Sequence, residues 1–254
     1  MGKVMVKVLI GCPVYKREWI LPDWFAAIEN QNYDLSDLGF IFELGPNDKA
    51  THNALFEWHA KHPEVFCFDV REDGGEKHDH HPEDKRIWNW AKYHKMVNFR
   101  NSLLERVNCI NPDRYFSLDS DILLRDPNTI STLVELTHTR DAVSTLAYMT
   151  PRGTAFPSIM SWVNEVGGNA RRDPNGYDIG SVIQADIIMA SKMMTPQVFK
   201  SVRYEWHPKG EDLGWSAECT RHGFKLYCAT NLYTPHIMHK WMLNEYKREG
   251  DPRA

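Results

Sequence analysis

The sequence contains no long hydrophobic run. None of its 254 residues belongs to an apolar stretch approaching the roughly 18 residues that a transmembrane helix requires. The first residues also lack the apolar core and small-residue cleavage site of a secretory signal peptide. We therefore expect a cytoplasmic protein with no membrane span.

Cysteine is scarce, and positive charge is not in excess. The five cysteines are odd in number and scattered, with no Cys-x-x-Cys, which argues against a disulfide framework or a thiolate zinc site. Against 30 Lys and Arg residues stand 34 Asp and Glu residues, for a net charge of −4. No overall positive field is available to hold nucleic acid or an anionic membrane, so a nucleic-acid partner would need a local basic patch.

The chain also lacks low-complexity linkers and internal repeats, so we expect a single domain over residues 1–254. Short apolar runs alternate with segments of helical periodicity, which predicts an α/β fold with a mixed, mostly parallel sheet and flanking helices. The predicted strands are Val4–Ile10, Phe40–Leu44, Val65–Val70, Tyr115–Leu118, Ala142–Ala147, Val182–Ala190 and Phe224–Ala229. The predicted helices are Trp19–Asn30, Thr51–His62 with Thr51 as N-cap, Asp84–Val107, Thr129–Thr137 and Leu213–Arg221.

Two carboxylates, Asp119 and Asp121, follow a predicted buried strand directly and flank Ser120. Ligands of open α/β sheets gather at the carboxyl ends of parallel strands. Two hard oxygen donors on a tight turn suit Mg²⁺ or Mn²⁺ when diphosphate oxygens complete the coordination shell. The alternative is a turn in which both aspartates only cap the next segment.

Further polar motifs lie at the ends of other predicted elements. They are Cys12-Pro13-Val14-Tyr15-Lys16-Arg17, Asn98-Phe99-Arg100-Asn101, Gly210-Glu211-Asp212 and Thr234-Pro235-His236-Ile237-Met238-His239. Gln31 closes the first predicted helix. In this order and at these spacings, the chain resembles the GT-A glycosyltransferases, especially those close to glycosyltransferase family 2, over residues 4–240.

The resemblance implies a Rossmann-like GT-A fold and a metal-dependent enzyme that moves a sugar from a nucleotide-diphosphate sugar to an acceptor hydroxyl, with inversion. A UDP-sugar is the favoured donor. Residues 1–125 would form the nucleotide-sugar-binding half and residues 126–254 the acceptor-binding and catalytic half. The implied donor-binding residues are Pro13, Tyr15, Arg17, Asp48, Arg100, Asn101, Asp119 and Ser120.

Three of these positions have competing interpretations. Asp48 would bind the uracil ring, although Glu43 also lies near the second strand end, and Asp48 could instead stabilise its own turn. Arg100 and Asn101 would face the sugar nucleotide, or they could be a solvated helix face. Lys16 departs from the family, which often has Asn there.

Glu211 and Asp212 begin a predicted helix, where carboxylates also act as caps and complement the helix dipole. By the resemblance, Asp212 is the general base that takes the acceptor proton, and Glu211 binds the acceptor or orients Asp212. If both are ionised and close, Glu211 should raise the pKa of Asp212.

The resemblance also implies a late histidine ligand for Mn²⁺ or Mg²⁺ beside Asp119 and Asp121. His236 and His239 are the candidates, and only one of them can join the ion from an extended segment. We favour His236, which follows Pro235; the alternative for each is a structural or exposed histidine.

Three segments have weaker functional interpretations. The cluster His78–His81 is expected to be a solvated loop rather than a zinc site. The basic and aromatic stretch Lys85–Lys95 is an amphipathic helix or an acceptor contact. The irregular segment Pro151–Gly180 is expected to be an acceptor-side lid.

Two other function classes remain open from the sequence. A nucleotidyltransferase on a related sheet would normally have a Gly-rich, basic loop after the first strand, which Gly11-Cys12-Pro13-Val14-Tyr15 is not. A non-catalytic nucleotide-sugar-binding module would not need a base. The acceptor is unresolved: a glycan, a small molecule or a hydroxymethylated DNA base of the phage type.

Overall fold

The computed structural model describes residues 6–73, 90–148, 157–171 and 180–249. The strands in these ranges are β1 (Val8–Val14), β2 (Leu38–Leu44), β3 (Cys67–Glu72), β4 (Arg114–Leu118), β5 (Ala142–Tyr148), β6 (Ile159–Trp162), β7 (Ala170–Arg171), β8 (Val182–Ala185), β9 (Ile187–Ile188), β10 (Ser191–Met194) and β11 (Leu226–Pro235). The α-helices are α1 (Leu21–Glu29), α2 (Lys49–His59), α3 (Trp90–Ile110), α4 (Thr129–Leu136), α5 (Pro196–Ser201), α6 (Glu211–Arg221) and α7 (Lys240–Glu249).

The main sheet has eight strands in the order β3-β2-β1-β4-β10-β5-β11-β8. Strands β3, β2, β1 and β4 are parallel neighbours, and β5 pairs in parallel with β11. The strand β10 runs antiparallel between β4 and β5, and β8 is antiparallel to β11. The predicted mixed, mostly parallel sheet is confirmed. A second, three-stranded sheet has the order β7-β6-β9.

Helices cover both faces of the main sheet. Along β1, Val8 and Ile10 join the core under α1, α2, α4 and α7, whereas Leu9 joins the core under α3, α5 and α6. This alternation explains why the strands are apolar on both faces and read as continuous hydrophobic runs. The buried Gln31 side chain ties the end of α1 to α4, since it donates to the carbonyl of Asp126 and accepts from the amide of Ile130.

Several predicted boundaries are wrong. The first strand begins at Val8 rather than Val4 and continues through Pro13. Helix α2 is capped by Asp48, whose side chain accepts from the amide of Thr51, so Thr51 is not the N-cap. The predicted strand Val182–Ala190 is two strands, β8 and β9, that belong to different sheets.

Five of these elements were not predicted from the sequence, namely β6, β7, β10, α5 and α7. Strand β10 has four residues and α5 has six, so neither is long enough to show a periodicity in the sequence. Strand β10 also contains a lysine, which interrupts its apolar pattern. Within the expected lid, residues 157–171 contain β6 and β7. The rest of that segment, the cluster His78–His81 and residues 85–89 lie outside the described residues.

In the described part of the chain, no helix combines the length and apolar character needed to cross a membrane.

Gly214 gives a test of how α6 is seated. A Cβ at this position would overlap the backbone carbonyl oxygen of Glu205. An ordinary helical Gly→Ala change stabilises a helix by about 1 kcal/mol. Here overpacking against fixed backbone should reverse the sign, so we expect Gly214→Ala to destabilise the protein by about 1–3 kcal/mol in urea unfolding. The control is Thr220→Ala on the exposed face of α6, expected to change stability by less than about 0.5 kcal/mol. A stabilised Gly214→Ala variant would contradict this packing.

Candidate active site

Polar side chains converge where the parallel strands end. Strands β1, β2 and β4 end in parallel at Val14, Leu44 and Leu118. The reversed strand β10 starts at this same edge, because Ser191 pairs with Leu118. Helix α6 also begins here, since the amide of Ala190 bonds the side chain of Asp212.

Asp121 lies at the centre of this edge and is 6% exposed. One carboxylate oxygen accepts from Arg17 at 2.9 Å, and the other is 3.2 Å from Nε2 of His236. Backbone bonds fix the arrangement, because Ile122 and His236 form a β-bridge and the amide of Ile237 donates to the carbonyl of Asp121. The last residues of β11 therefore carry His236 to the turn after β4.

Asp119 points to a different partner. Its carboxylate accepts from Arg100 at 2.6 Å, and Arg100 also donates to the hydroxyl of Ser117. Arg100 is 1% exposed, so the solvated-helix-face interpretation of this residue is wrong. Burial raises the pKa of Asp119, and the Arg100 charge opposes this effect. Arg100 also lies 3.6 Å from Glu211, which connects α3, the turn after β4 and α6.

The two carboxylates at the start of α6 have different surroundings. Oδ1 of Asp212 accepts from the ammonium of Lys192, and Oδ2 accepts from the amide of Ala190 at 3.3 Å. Lys192 is fully buried and lies over the rings of Tyr204 and Trp215, at 5.3 and 4.8 Å from their centroids. The carboxylate of Glu211 contacts Arg100 and its own backbone N–H.

These surroundings move the two pKa values in opposite directions. Burial alone would raise the pKa of Asp212, but the charges of Lys192 and Arg100 outweigh it and hold the pKa below its usual value. Burial, together with the charge of Asp212, raises the pKa of Glu211 to about 7. The net pKa of Asp212 is therefore lowered, because the buried lysine dominates there, and it is the pKa of Glu211 that is raised.

The predicted nucleotide side is built on the loop after β1. Lys16 has a left-handed backbone (φ 54°), and its amide donates to Asp48, whose other oxygen caps α2. Asp48 therefore does stabilise its own turn, and it also fixes the loop that carries Tyr15 and Arg17. The ring of Tyr15 lies against Gly45, where a Cβ would overlap it, and is 39% exposed.

The remaining predicted residues are placed as follows. Glu43 is buried in ion pairing with Arg106, away from Asp48. Pro13 lies in β1 beyond Gly11, the last residue that pairs with β4, and Ser120 is buried beside the thiol of Cys12.

Both polar atoms of the Asn101 side chain bond the backbone of Tyr204. His239 stacks near the ring of Trp241, and no ion pair to Asp121 is found for it among the described residues.

The donor set at Asp121 fits a divalent ion that is completed by a ligand. A carboxylate and an imidazole converge there, and both are donors that Mn²⁺ accepts, although the imidazole is a softer donor than Mg²⁺ prefers. Within the ranges that the structure describes, no group of three or more His, Cys, Asp or Glu side chains could hold a metal unaided. Oxygens from a bound diphosphate would have to supply the rest of the shell.

Sequence reasoning missed Lys192, which sits in the short strand β10 beside two methionines. Its burial depends on Tyr204 and Trp215, which are distant in sequence. The only available signal was a single lysine in an otherwise apolar stretch, and such a residue is more often at a strand edge.

No family model matches the chain. A glycosyltransferase 25 family member from Aedes aegypti is 25% identical over 133 residues, which are 51% of this chain and 22% of that protein. The match thus spans about a fifth of the length of that relative.

Solved structures match nearly the whole chain. The mannosyltransferase PcManGT from Pyrobaculum calidifontis, in complex with GDP-Man and Mn²⁺, superposes with a TM-score of 0.61 at 12% identity, over 92% of this chain and 57% of that one. GalNAc-T7 with UDP, GalNAc and Mn²⁺ gives a TM-score of 0.66 at 11% identity, over 93% of this chain and 44% of that one. The chain has a GT-A-like fold. The GT-A-like fold expected from the sequence is thereby confirmed.

The GT-A-like sheet is not confined to glycosyltransferases. A CMP:2-keto-3-deoxy-manno-octonic acid synthetase with bound CTP matches with a TM-score of 0.54 at 11% identity, over 98% of this chain and 100% of that one. At such identities the superpositions show the fold alone, so the reaction has to be argued from the side chains at the edge of the sheet.

The pKa of Glu211 predicts a pH-dependent stability. The ordinary pKa of 4.5 is raised to about 7 in the folded protein, so folding disfavours the ionised form. Protonated Glu211 therefore contributes folding stability below the ordinary pKa, and this contribution is lost as the pH rises through about 7. Glu211→Gln cannot ionise, and relative to wild type it should gain up to about 3 kcal/mol between about pH 5 and pH 8.

Urea unfolding at both pH values, with no divalent ion or nucleotide added, measures this difference. Glu105→Gln is the control, since Glu105 is exposed on α3 and should show the same offset at both pH values. An offset for Glu211→Gln that does not change with pH would contradict the raised pKa.

Proposed function

We propose that this protein is a glycosyltransferase that moves a sugar from a nucleotide-diphosphate sugar to an acceptor hydroxyl, with inversion at the anomeric carbon. The observation that carries the proposal is the joint position of two groups at the carboxyl edge of the sheet. Asp121 pairs there with His236 and Arg17. Arg100 bonds Asp119 and lies 3.6 Å from Glu211 at the start of α6. A cation-binding centre for a leaving diphosphate thus lies next to candidate proton acceptors.

The donor would lie across the ends of β1, β2 and β4. The exposed ring of Tyr15 offers a face for the base, with a UDP-sugar favoured, and Arg17 offers a guanidinium for phosphate oxygens. Asp48 and Asn101 act here through the backbone that they hold in place. The proposed donor-binding residues are Pro13, Tyr15, Arg17, Asp48, Arg100, Asn101, Asp119 and Ser120.

Asp121 and His236 would hold a divalent ion, Mn²⁺ or Mg²⁺, with Asp119 and His239 as the other candidate ligands. When bound, such an ion acts as a Lewis acid that neutralises the leaving diphosphate. The chain contributes the fixed positions of these side chains, since backbone bonds lock Ile122 and Ile237 around Asp121. Arg17 balances the charge of Asp121 from the donor side.

The acceptor would approach over the start of α3. Tyr93 lies beside Gly210, and its pKa is raised by burial and by the charge of Glu211. The next residue, His94, stacks on the ring of Trp206, with centroids 5.6 Å apart, and Trp206 is 39% exposed. An exposed aromatic face beside the turn of α3 that carries Tyr93 favours a ring-shaped acceptor, such as a glycan or a modified base, over an extended chain. A cytoplasmic location is part of this proposal.

Metal dependence gives the first test of the function. We expect Asp121→Asn to abolish donor turnover and the thermal stabilisation by Mn²⁺ with UDP, because it removes the anionic oxygen that faces His236. Thermal shift and release of nucleotide diphosphate from a panel of UDP- and GDP-hexoses measure both effects. Glu135→Gln is the matched control on an exposed carboxylate. Full activity of the wild type in EDTA would overturn metal dependence.

The stereochemistry of the product gives a second test. In a single displacement the acceptor oxygen attacks opposite the diphosphate, and a carboxylate must take its proton. The two carboxylates at the start of α6 are the candidates for that role. We expect the product to have the anomeric configuration opposite to that of the donor, read from the NMR coupling of the anomeric proton. A retained configuration would place the enzyme in the retaining class.

A further inference from the structure

Lys192 and Asp212 form a buried ion pair that the proposed reaction leaves unexplained. The ammonium of Lys192 is fully buried, and its acceptor among the described residues is Oδ1 of Asp212. Its other contacts are the ring faces of Tyr204 and Trp215. Rings attract a cation but do not neutralise it, so Asp212 is the counter-ion of Lys192.

This pairing opposes proton uptake by Asp212. If Asp212 took a proton from the acceptor, it would become neutral and leave a buried ammonium without its counter-ion. Removing one partner of a buried ion pair is strongly unfavourable, because the remaining charge stays out of water. The second oxygen of Asp212 is also engaged, by the amide of Ala190 at 3.3 Å.

Glu211 has the opposite environment. Within the described ranges, the partners of its carboxylate are Arg100, 3.6 Å away, and its own backbone N–H. Among the described residues, the charged and titratable groups facing it are Arg100 and Tyr93 of α3, Asp119 after β4, Tyr204, and Asp212. Arg100 already bonds Asp119 at 2.6 Å, so protonation of Glu211 strands no cation and relieves crowding among three carboxylates.

We propose that Glu211 takes the acceptor proton, and that Lys192 and Asp212 act as positioning residues that fix the start of α6 as a permanent ion pair. This inference rests on the proposed glycosyltransferase function. In the step, the acceptor O–H bond breaks and its proton passes to Glu211, while the oxygen forms the bond to the anomeric carbon. The bond from that carbon to the diphosphate breaks, and its electron pair leaves with the diphosphate.

Exposure does not separate the two carboxylates, since the side chains of Glu211 and Asp212 are 10% and 12% exposed. The assignment depends on which carboxylate already carries a fixed charge. It therefore reverses the roles that the resemblance implies, with Asp212 orienting the site and Glu211 performing the proton transfer.

The test uses the full chain with Mn²⁺ and the panel of UDP- and GDP-hexoses, and it counts released nucleotide diphosphate. We expect Glu211→Gln to lose about 10²- to 10⁴-fold in kcat, the usual effect of removing a general base, with UDP affinity unchanged. Formate, a small carboxylate, should restore activity to Glu211→Ala at least tenfold. Glu135→Gln should match the wild type.

Asp212→Asn alone would strand Lys192 and risks misfolding, so the second arm is the double variant Lys192→Met/Asp212→Asn, which removes both charges. We expect it to keep at least a tenth of the wild-type kcat. A tenfold or smaller loss in Glu211→Gln, absence of formate rescue, or a hundredfold loss in a folded double variant would each overturn the assignment. If the wild type turns over none of the donors, the proposed function falls and this inference with it; turnover by wild type and Glu211→Gln alike overturns the inference alone.

Discussion

The buried guanidinium of Arg100 is the interaction on which the rest of the site depends. From the middle of α3 it bonds Ser117 at the end of β4 and Asp119 in the following turn, and it approaches Glu211 at the start of α6. A cation with almost no exposure must be compensated, and carboxylates from two other elements are drawn to it. The three elements that carry the chemistry are thus joined by one side chain rather than by apolar packing alone.

Charge balance also organises the neighbouring positions. Lys192 compensates Asp212 on the inner side of the site, and Arg17 compensates Asp121 on the donor side. Asp212 and Asp121 each have a cation of their own, which fixes the carboxylate in place. Glu211 instead shares Arg100 with Asp119, so its protonation can change without leaving a cation unpaired. The polar edge of the sheet therefore consists of separate ion pairs. The carboxylates of Asp212 and Glu211 differ in pKa because Lys192 pairs with Asp212, whereas Glu211 lies 3.6 Å from Arg100.

The sequence indicated that Asp119 and Asp121 lie at the carboxyl edge of the sheet, but it did not indicate which cations they pair with there. Asp119 and Asp121 follow a strand whose burial was clear from its composition, and the carboxyl edge of a parallel sheet is the expected ligand position. The arrival of His236 depends on β11, which continues to Pro235 through an irregularity after Ala229 that periodicity cannot show. The role of Lys192 depends on Tyr204 and Trp215, whose contacts form only in the folded chain. Helix α2 begins one turn earlier than expected, because the side chain of Asp48 accepts from the amide of Thr51 and Asp is a stronger N-cap residue than Thr.

The contact between Tyr15 and Gly45 has a consequence for recognition. The ring lies where a side chain at position 45 would be, the residue is 39% exposed, and the ammonium of Lys16 lies 5.4 Å from the ring centroid. In the proposed nucleotide site, this contact restricts the ring before a flat ligand stacks on it, so less conformational entropy is lost on binding. A larger residue at position 45 would displace the ring of Tyr15, and the proposed nucleotide site would lose this restraint.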